Sequence, residues 1–166
     1  IPDFGQVVSD NVINNLSPYE VKFQENRQFF TEGTEIFNKA NLFYSRRVGA
    51  VPSGYNRVKN FVAGTIDWEI VKNPSTTQLY NATKFSGRNK NKLGIGIFNA
   101  IAAPTNARIR NTISGKDSTI RTSPLTNYNI LVLDQALKGR SSITLTNTNV
   151  IRNDGGRDAN VTALDI

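Results

Sequence analysis

Cysteine, histidine and methionine are all absent from the sequence. Without cysteine the chain can form no disulfide, offers no thiolate nucleophile and holds no thiolate-ligated metal, so thiols say nothing about its compartment. Without histidine it lacks the usual general base, the Ser-His-Asp arrangement and the common zinc ligands. No cofactor is expected. The absence of methionine leaves the sequence with no initiator, and neither its opening Ile-Pro-Asp-Phe-Gly nor its closing Leu-Asp-Ile has the composition of a tail. An internal piece of a longer protein is the expectation. Long apolar runs are missing too: the most apolar stretch, Leu93–Ala103, contains two glycines and is interrupted by Asn99. A membrane-spanning helix needs about 20 apolar residues. A transmembrane β-strand needs only about 9–11 residues of alternating character, and that route stays open.

What is present is positive charge. The chain carries 20 Lys+Arg against 13 Asp+Glu, a net charge of +7 with pI near 9.9. Such an excess suits a polyanion, whether nucleic acid or an anionic lipid surface. The charges, however, are scattered singly and in pairs rather than in blocks, as on a solvated surface. Arg108, Arg110, Lys116, Arg121, Lys138 and Arg140 share a region whose sole aromatic is Tyr128, so no base-stacking platform accompanies them. Nucleic acid is not an expected partner.

The texture divides the chain at about Ser75. Residues 1–75 show little sustained period. "SDNVINNLSPYEVKF" suggests a short helical turn capped by Ser9 or Asp10 before Pro18. "FFTEGTEIFNKANLFYSRRVG", from Phe29 to Gly49, sets aromatic pairs beside charge with no periodicity; it reads as compact, irregular chain pinned by Phe29, Phe30, Phe37, Phe43 and Tyr44. "VPSGYN" reads as a turn, and "GTIDWEIV" (Gly64–Val71) as a strand with Ile66, Trp68 and Ile70 on one face. Residues 76–166 are β in character, with strands expected at Leu79–Ser86, Lys92–Ala102, Tyr128–Leu137 and Ser142–Ile151. Leu93, Ile95, Ile97 and Ile101 alternate with Gly94, Gly96, Phe98 and Ala100, and Ile143 and Leu145 with Ser142, Thr144, Thr146 and Thr148. Tight turns are expected near Asn89–Asn91 and around Gly139. A long polar loop, "TNARIRNTISGKDSTIRTSPLTN", is expected between the second and third of these strands.

Period two with one apolar and one small or hydroxylated face fits two architectures. A soluble half-covered sheet buries the Ile/Leu face. An outer-membrane barrel turns that face to lipid and the Gly/Ser/Thr/Asn face to a polar lumen. In the barrel Ile95→Arg is expected to block assembly, whereas Thr144→Arg, facing the lumen, is expected to be tolerated.

Candidate chemistry is sparse. Glu32 and Glu35 stand three apart, which on a helix would put both carboxylates on one face, and a carboxylate pair can serve glycoside hydrolysis. The plainer reading is that both are salt-bridged to Arg27, Arg46 or Arg47, or exposed. "SGRNKNKLGIG" has neither Walker nor dinucleotide spacing and reads as a basic hairpin turn with Arg88, Lys90 and Lys92. "RNDGGRDANV" places Asp154 and Asp158 near one another but lacks the alternating acids of a calcium loop. No catalytic or metal-binding residue is expected beyond the weak pair Glu32 and Glu35.

"PDFGQV", "ENRQFFTEGTEIF", "LFYSRRVG", "QLYNATKFSGRNKNKLGIGIFNA" and "DANVTA", in this order over residues 2–50 and 78–163, resemble an uncharacterised family of Bacteroidota envelope proteins. Its members look like a family 9 carbohydrate-binding-type module followed by a long C-terminal domain of unknown function that resembles an outer-membrane β-barrel. Their second motif commonly reads "EKRPFFLEG", from which Asn26, Gln28 and Thr31 depart conservatively. The resemblance implies an all-β chain of antiparallel strands, part of a barrel wall in the cell outer membrane, preceded by an irregular plug or entrance segment. Glu25, Arg27, Phe29, Phe30, Glu32, Gly33, Phe37, Tyr44, Arg46 and Arg47 would build that segment, with Gly87 and Arg88 on the wall. Arg46 and Arg47 would pair with Glu25, Glu32 or Glu35. The implied function is transport or a cell-surface scaffold linked to glycan binding, non-enzymatic in this segment. The implied partners are outer-membrane lipid or lipopolysaccharide, and a glycan or envelope protein. A soluble β-rich domain of a carbohydrate-active enzyme or hydrolase is the alternative.

Overall fold

The computed structural model describes residues 18–19, 21–154 and 156–166. The expected helical turn at Ser9 or Asp10 and the "PDFGQV" motif lie outside these residues. The described chain is nearly all β. One turn of helix, α1 (Gln28–Thr31), and a short 3-10 turn at Ser45–Arg47 interrupt the irregular first part; α2 (Tyr55–Ala63) follows. Eight strands then run in order: β1 (Trp68–Lys72), β2 (Leu79–Arg88), β3 (Leu93–Ala102), β4 (Thr105–Asn111), β5 (Asp117–Ser123), β6 (Thr126–Ala136), β7 (Ser142–Arg152) and β8 (Ala159–Asp165).

These strands form two antiparallel sheets, one ordered β1-β4-β5 and the other β2-β3-β6-β7-β8. The larger sheet is an open meander with β2 and β8 at its edges. Its turns are unequal. At one end, β2 and β3 are joined by a tight turn in which the Asn89 side chain accepts from the Leu93 amide at 2.9 Å. At the same end, β6 and β7 are joined around Gly139, whose φ of +80° suits glycine. At the other end stand the connection from β7 to β8 and a long excursion from β3 to β6.

That excursion corrects the expected polar loop, because it is a hairpin, β4–β5. Ala102 pairs with Thr126 and, three residues on, Thr105 pairs with Ser123, so both ribbons keep one register across the gap. β3 with β4, and β5 with β6, are therefore two halves of one long ribbon, broken where Pro104 and Pro124 stand. A proline has no amide hydrogen to give the ladder, so hydrogen bonding lapses and the ribbon bends there. The freed Ala103 amide donates instead to Gln78 at 2.8 Å. Only Thr105, Ala107 and Ile109 of β4 are buried, between exposed Asn106, Arg108 and Arg110. So thin an apolar stripe is easily taken for a loop.

Two clusters fill the interior. The smaller gathers Val58, Ala107 and Ile109 with Val62, Trp68 and Ile120, packing α2 onto the β1-β4-β5 sheet. Helix α2 starts where "VPSGYN" reads as a turn. Its Gly54 cap donates to the Thr122 carbonyl at 2.8 Å, and a Cβ there would lie 2.9 Å from the Thr122 Cα, so only glycine allows the approach. Strand β1 is shorter than expected. Ile66 precedes it and is exposed, and a register shift between Ile70 and Lys72 interrupts the alternation. The larger cluster lies on one face of the five-stranded sheet. Phe30, Phe37 and Val48 from the irregular segment meet Ala82, Phe98, Ala100, Ile130 and Val132 from the strands.

Candidate functional site

Alternate residues give the five-stranded sheet two unlike faces, and residues 21–50 cover one of them. The covered face carries Gly94, Gly96, Phe98, Ala100, Ile130, Val132, Asp134, Thr144 and Thr146. Small residues make room there for large ones from the covering segment. A Cβ on Gly96 would lie 2.8 Å from the Ile36 Cγ2 and 3.1 Å from the Phe37 ring, and one on Gly94 would lie 2.8 Å from the Ile36 Cδ1. Phe29, Phe30 and Phe43 surround Phe98 with ring centroids 6.5, 6.0 and 5.1 Å away. Such tilted contacts suit the ring quadrupoles.

The charges of the irregular segment bind it internally and to the sheet. Arg27 is buried; its guanidinium donates to both Glu25 carboxylate oxygens at 2.9 and 2.7 Å and to the carbonyls of Val48 at 2.8 Å and Ser45 at 3.0 Å. The same guanidinium stacks 4.0 Å from the Phe30 ring centroid. Burial pushes the Glu25 carboxyl up, but hydrogen bonds from Arg27 and the Ser45 hydroxyl outweigh it and hold its pKa at about 2. The Arg46 guanidinium donates to the Gln24 carbonyl and lies over Phe23, and that of Arg47 lies over Tyr44.

Among the described residues, Lys84, Tyr128 and Asp134 tie the segment to the sheet. Lys84 on β2 donates to the carbonyls of Phe29 and Glu32. Tyr128 on β6 donates to the Arg47 carbonyl at 3.3 Å. Asp134 on β6 is 0% exposed and is reached by Lys39 of the segment at 2.6 Å, by Arg88 of β2, and by the Thr144 hydroxyl of β7 at 2.8 Å. A carboxylate so deep requires this paired, hydrogen-bonded setting. Lys39, Lys84 and Asp134 were not among the residues the motifs singled out. The available signal was polarity inside strands, a lone acid in "NILVLDQAL" and a lysine in "NATKFS". Thr144 is 2% exposed beneath this cluster, so the expectation that it would tolerate arginine is overturned: no lumen space opens there.

Glu32 and Glu35 do not form the helical carboxylate pair. Helix α1 ends at Thr31, Glu32 is its C-cap, and Gly33 follows at φ +57°. Both glutamates are exposed. Glu32 accepts from the Gln28 side chain at 2.6 Å, and Glu35 borders a cavity of about 320 Å³ with Lys39 and Arg88. Gly87 lies on β2 with nothing closer than the Phe85 ring at 3.8 Å from its built Cβ. Asp154 pairs with Arg121, and Asp158 accepts from the Arg152 amide at 2.7 Å.

Among the described residues nothing covers the opposite face. Nearest the tight turns stand Leu93, Gln135 and Ile143, and in the row behind them Gly87, Ile95, Leu133, Leu145 and Leu164. The next row begins Phe85, Ile97, Leu131 and ends Asn147, Thr162; the one after is Thr83, Asn99, Asn129, Asn149, Asn160. The exposures of Phe85 (59%), Ile97 (48%) and Leu131 (41%) are high for large apolar side chains side by side. The amides bond one another: the Asn99 side chain donates to those of Asn127 and Asn129, each at 2.7 Å.

A family model described as a domain of unknown function (DUF5916) matches residues 1–166. No curated protein and no solved structure matches the chain.

Proposed function

Since the chain belongs to the DUF5916 family, whose description names no activity, we propose a function that rests on the two faces of the larger sheet. Residues 76–166 form part of the wall of an outer-membrane β-barrel, and residues 1–75 supply its plug or entrance, in a protein that passes solutes or scaffolds the cell surface. The observation that carries this reading is the inversion of the faces. The Gly/Ala/Thr face lies under irregular chain rich in charge, and the Ile/Leu face is left open by the described residues. Irregular backbone is tolerated at membrane depth only when it is buried in protein or lines a watery lumen. Lipid or lipopolysaccharide is then the partner of the apolar rows. The tight turns at one end of the sheet and the long hairpin at the other have the loop asymmetry of such barrels.

One observation favours the alternative, a soluble β-rich domain: asparagines fill the outer positions beyond the apolar rows, and hydrocarbon does not accommodate amides cheaply. Single cysteines at Ile95, Ile143 and Asn129 in the assembled full-length protein separate the two. A barrel wall is expected to expose Ile95 and Ile143 to a membrane-confined thiol reagent and to leave Asn129 unlabelled. Protection of Ile95 and Ile143 in the folded protein would overturn it.

A further inference from the structure

At the long-hairpin end of the sheet two cavities, of about 330 and 340 Å³, adjoin one another and share Arg47, Ala50, Tyr128 and Arg152 in their walls. The first lies between the aromatic segment and strands β6 and β7, against Phe43 and Val150. The second is bordered by Gly156 and Arg157 with the hydroxyl residues Ser123 and Thr126. No aspartate or glutamate lines either cavity among the described residues.

Arg27, Arg88, Arg110 and Arg121 each meet a carboxylate. Arg152 and Arg157 meet none among the described residues. The nearby acids are turned to other tasks, Asp154 to Arg121 and Asp158 to the Arg152 backbone amide. The Arg152 guanidinium does donate to the Arg157 carbonyl, which holds it against the second cavity with further N–H donors to spare. Two guanidinium groups, those of Arg152 and Arg157, that border one part-apolar cavity and meet no carboxylate among the described residues match a carboxylate or phosphate, which a guanidinium binds with two parallel N–H donors. The Tyr128 ring and Phe43 offer flat apolar surface beside them, and each volume is at the lower end of small-molecule sites.

We infer that this double cavity binds a small organic anion, a carboxylate or phosphate monoester borne on a ring of about hexose size. The inference stands on the cavity alone and does not depend on how the outer face of the sheet is covered.

Calorimetric titration of the purified full-length protein with glucose 6-phosphate, glucuronate, glucose and inorganic phosphate tests it. Saturable binding of the two sugar anions is expected, with glucose at least about tenfold weaker, the scale of one lost charge-assisted bond. Arg152→Gln and Arg157→Gln should each weaken the anions by about tenfold as well, Arg152→Lys less so, and Arg140→Gln at the distant tight turn not at all. The Lys variant, which keeps the charge, and the Arg140 variant separate loss of the site from loss of the fold. Equal binding of glucose, indifference to both Arg→Gln changes, or no binding of any probe would overturn the inference. Inorganic phosphate binding as tightly as glucose 6-phosphate would overturn the assignment to an organic anion.

Discussion

Ile97 and Phe98 are neighbours on one strand and have opposite fates. Phe98 is 1% exposed within a ring of phenylalanines, and Ile97 is 48% exposed on the other side of the same sheet. The same holds across the sheet, where Val132 and Thr146 are buried while Leu131 and Leu145 stand open. In an ordinary half-covered sheet the aliphatic face is buried and the small polar face is wet. Here the covering segment has taken the small face. Its large rings need the space that glycine and alanine leave, its Lys39 needs the buried Asp134, and its Phe29 and Glu32 carbonyls take Lys84 from the sheet. Hydrophobicity of a face does not by itself decide which face is covered; volume and charge complementarity with the available partner do.

The comparison can be broken most forcefully at Phe98. Phe98→Ala removes the ring that Phe29, Phe30 and Phe43 enclose and is expected to cost about 3–5 kcal/mol, whereas Ile97→Ala next to it should cost about 1 kcal/mol or less. Denaturant midpoints of the two variants check this, and equal losses would mean the faces are energetically alike.

A second test uses pH. Glu25 has a pKa of about 2 in the fold against an ordinary 4.5. Its folded value is depressed, so its contribution is fully present above about pH 4.5 and is lost as pH falls toward 2. The difference corresponds to at most about 3 kcal/mol, reduced by solvent screening of this partly exposed carboxylate. Stability measured through that window should fall for the native chain and fall less steeply for Glu25→Gln; parallel curves would remove Glu25 from the account.

The smallest effect sharpens the contrast between two glycines. Gly96→Ala should cost about 1–3 kcal/mol, because the added methyl meets Ile36 and Phe37. Gly87→Ala, on the open face, should leave the midpoint nearly unchanged. A similar cost at both positions would show that Gly96 is needed for its backbone and not for the space it leaves.

Much of the sheet was readable from alternation. β2, β3, β6 and β7, their tight turns, and the division of β3 and β7 into two faces follow from period two in "KLGIGIFNAI" and "SSITLTNTNV". β4 and β5 were missed because one sparse stripe of small and hydroxylated residues sufficed for burial against a short helix. β8 was missed because a sheet edge asks little of its side chains, and most of its residues are exposed. Helix α2 carries Tyr55, Val58, Phe61 and Val62 at helical spacing, but over only nine residues, and with Val58 alone buried the stripe is short enough to pass for a turn. The aromatic and charged content of Phe29–Gly49 marked that segment as unusual, but not which charge would meet which.

Local sequence thus determined where the four main strands extend, where they turn, and that they carry two unlike faces, because period, glycine and proline act within a few residues of themselves. Only the tertiary structure decided that Asp134 would be reached by Lys39 across 95 positions of chain. Only it decided that Pro104 and Pro124 would break one ribbon at facing points, and that the small face and not the aliphatic one would be covered. Those outcomes depend on which distant surfaces fit in volume and charge, and no single segment carries that information.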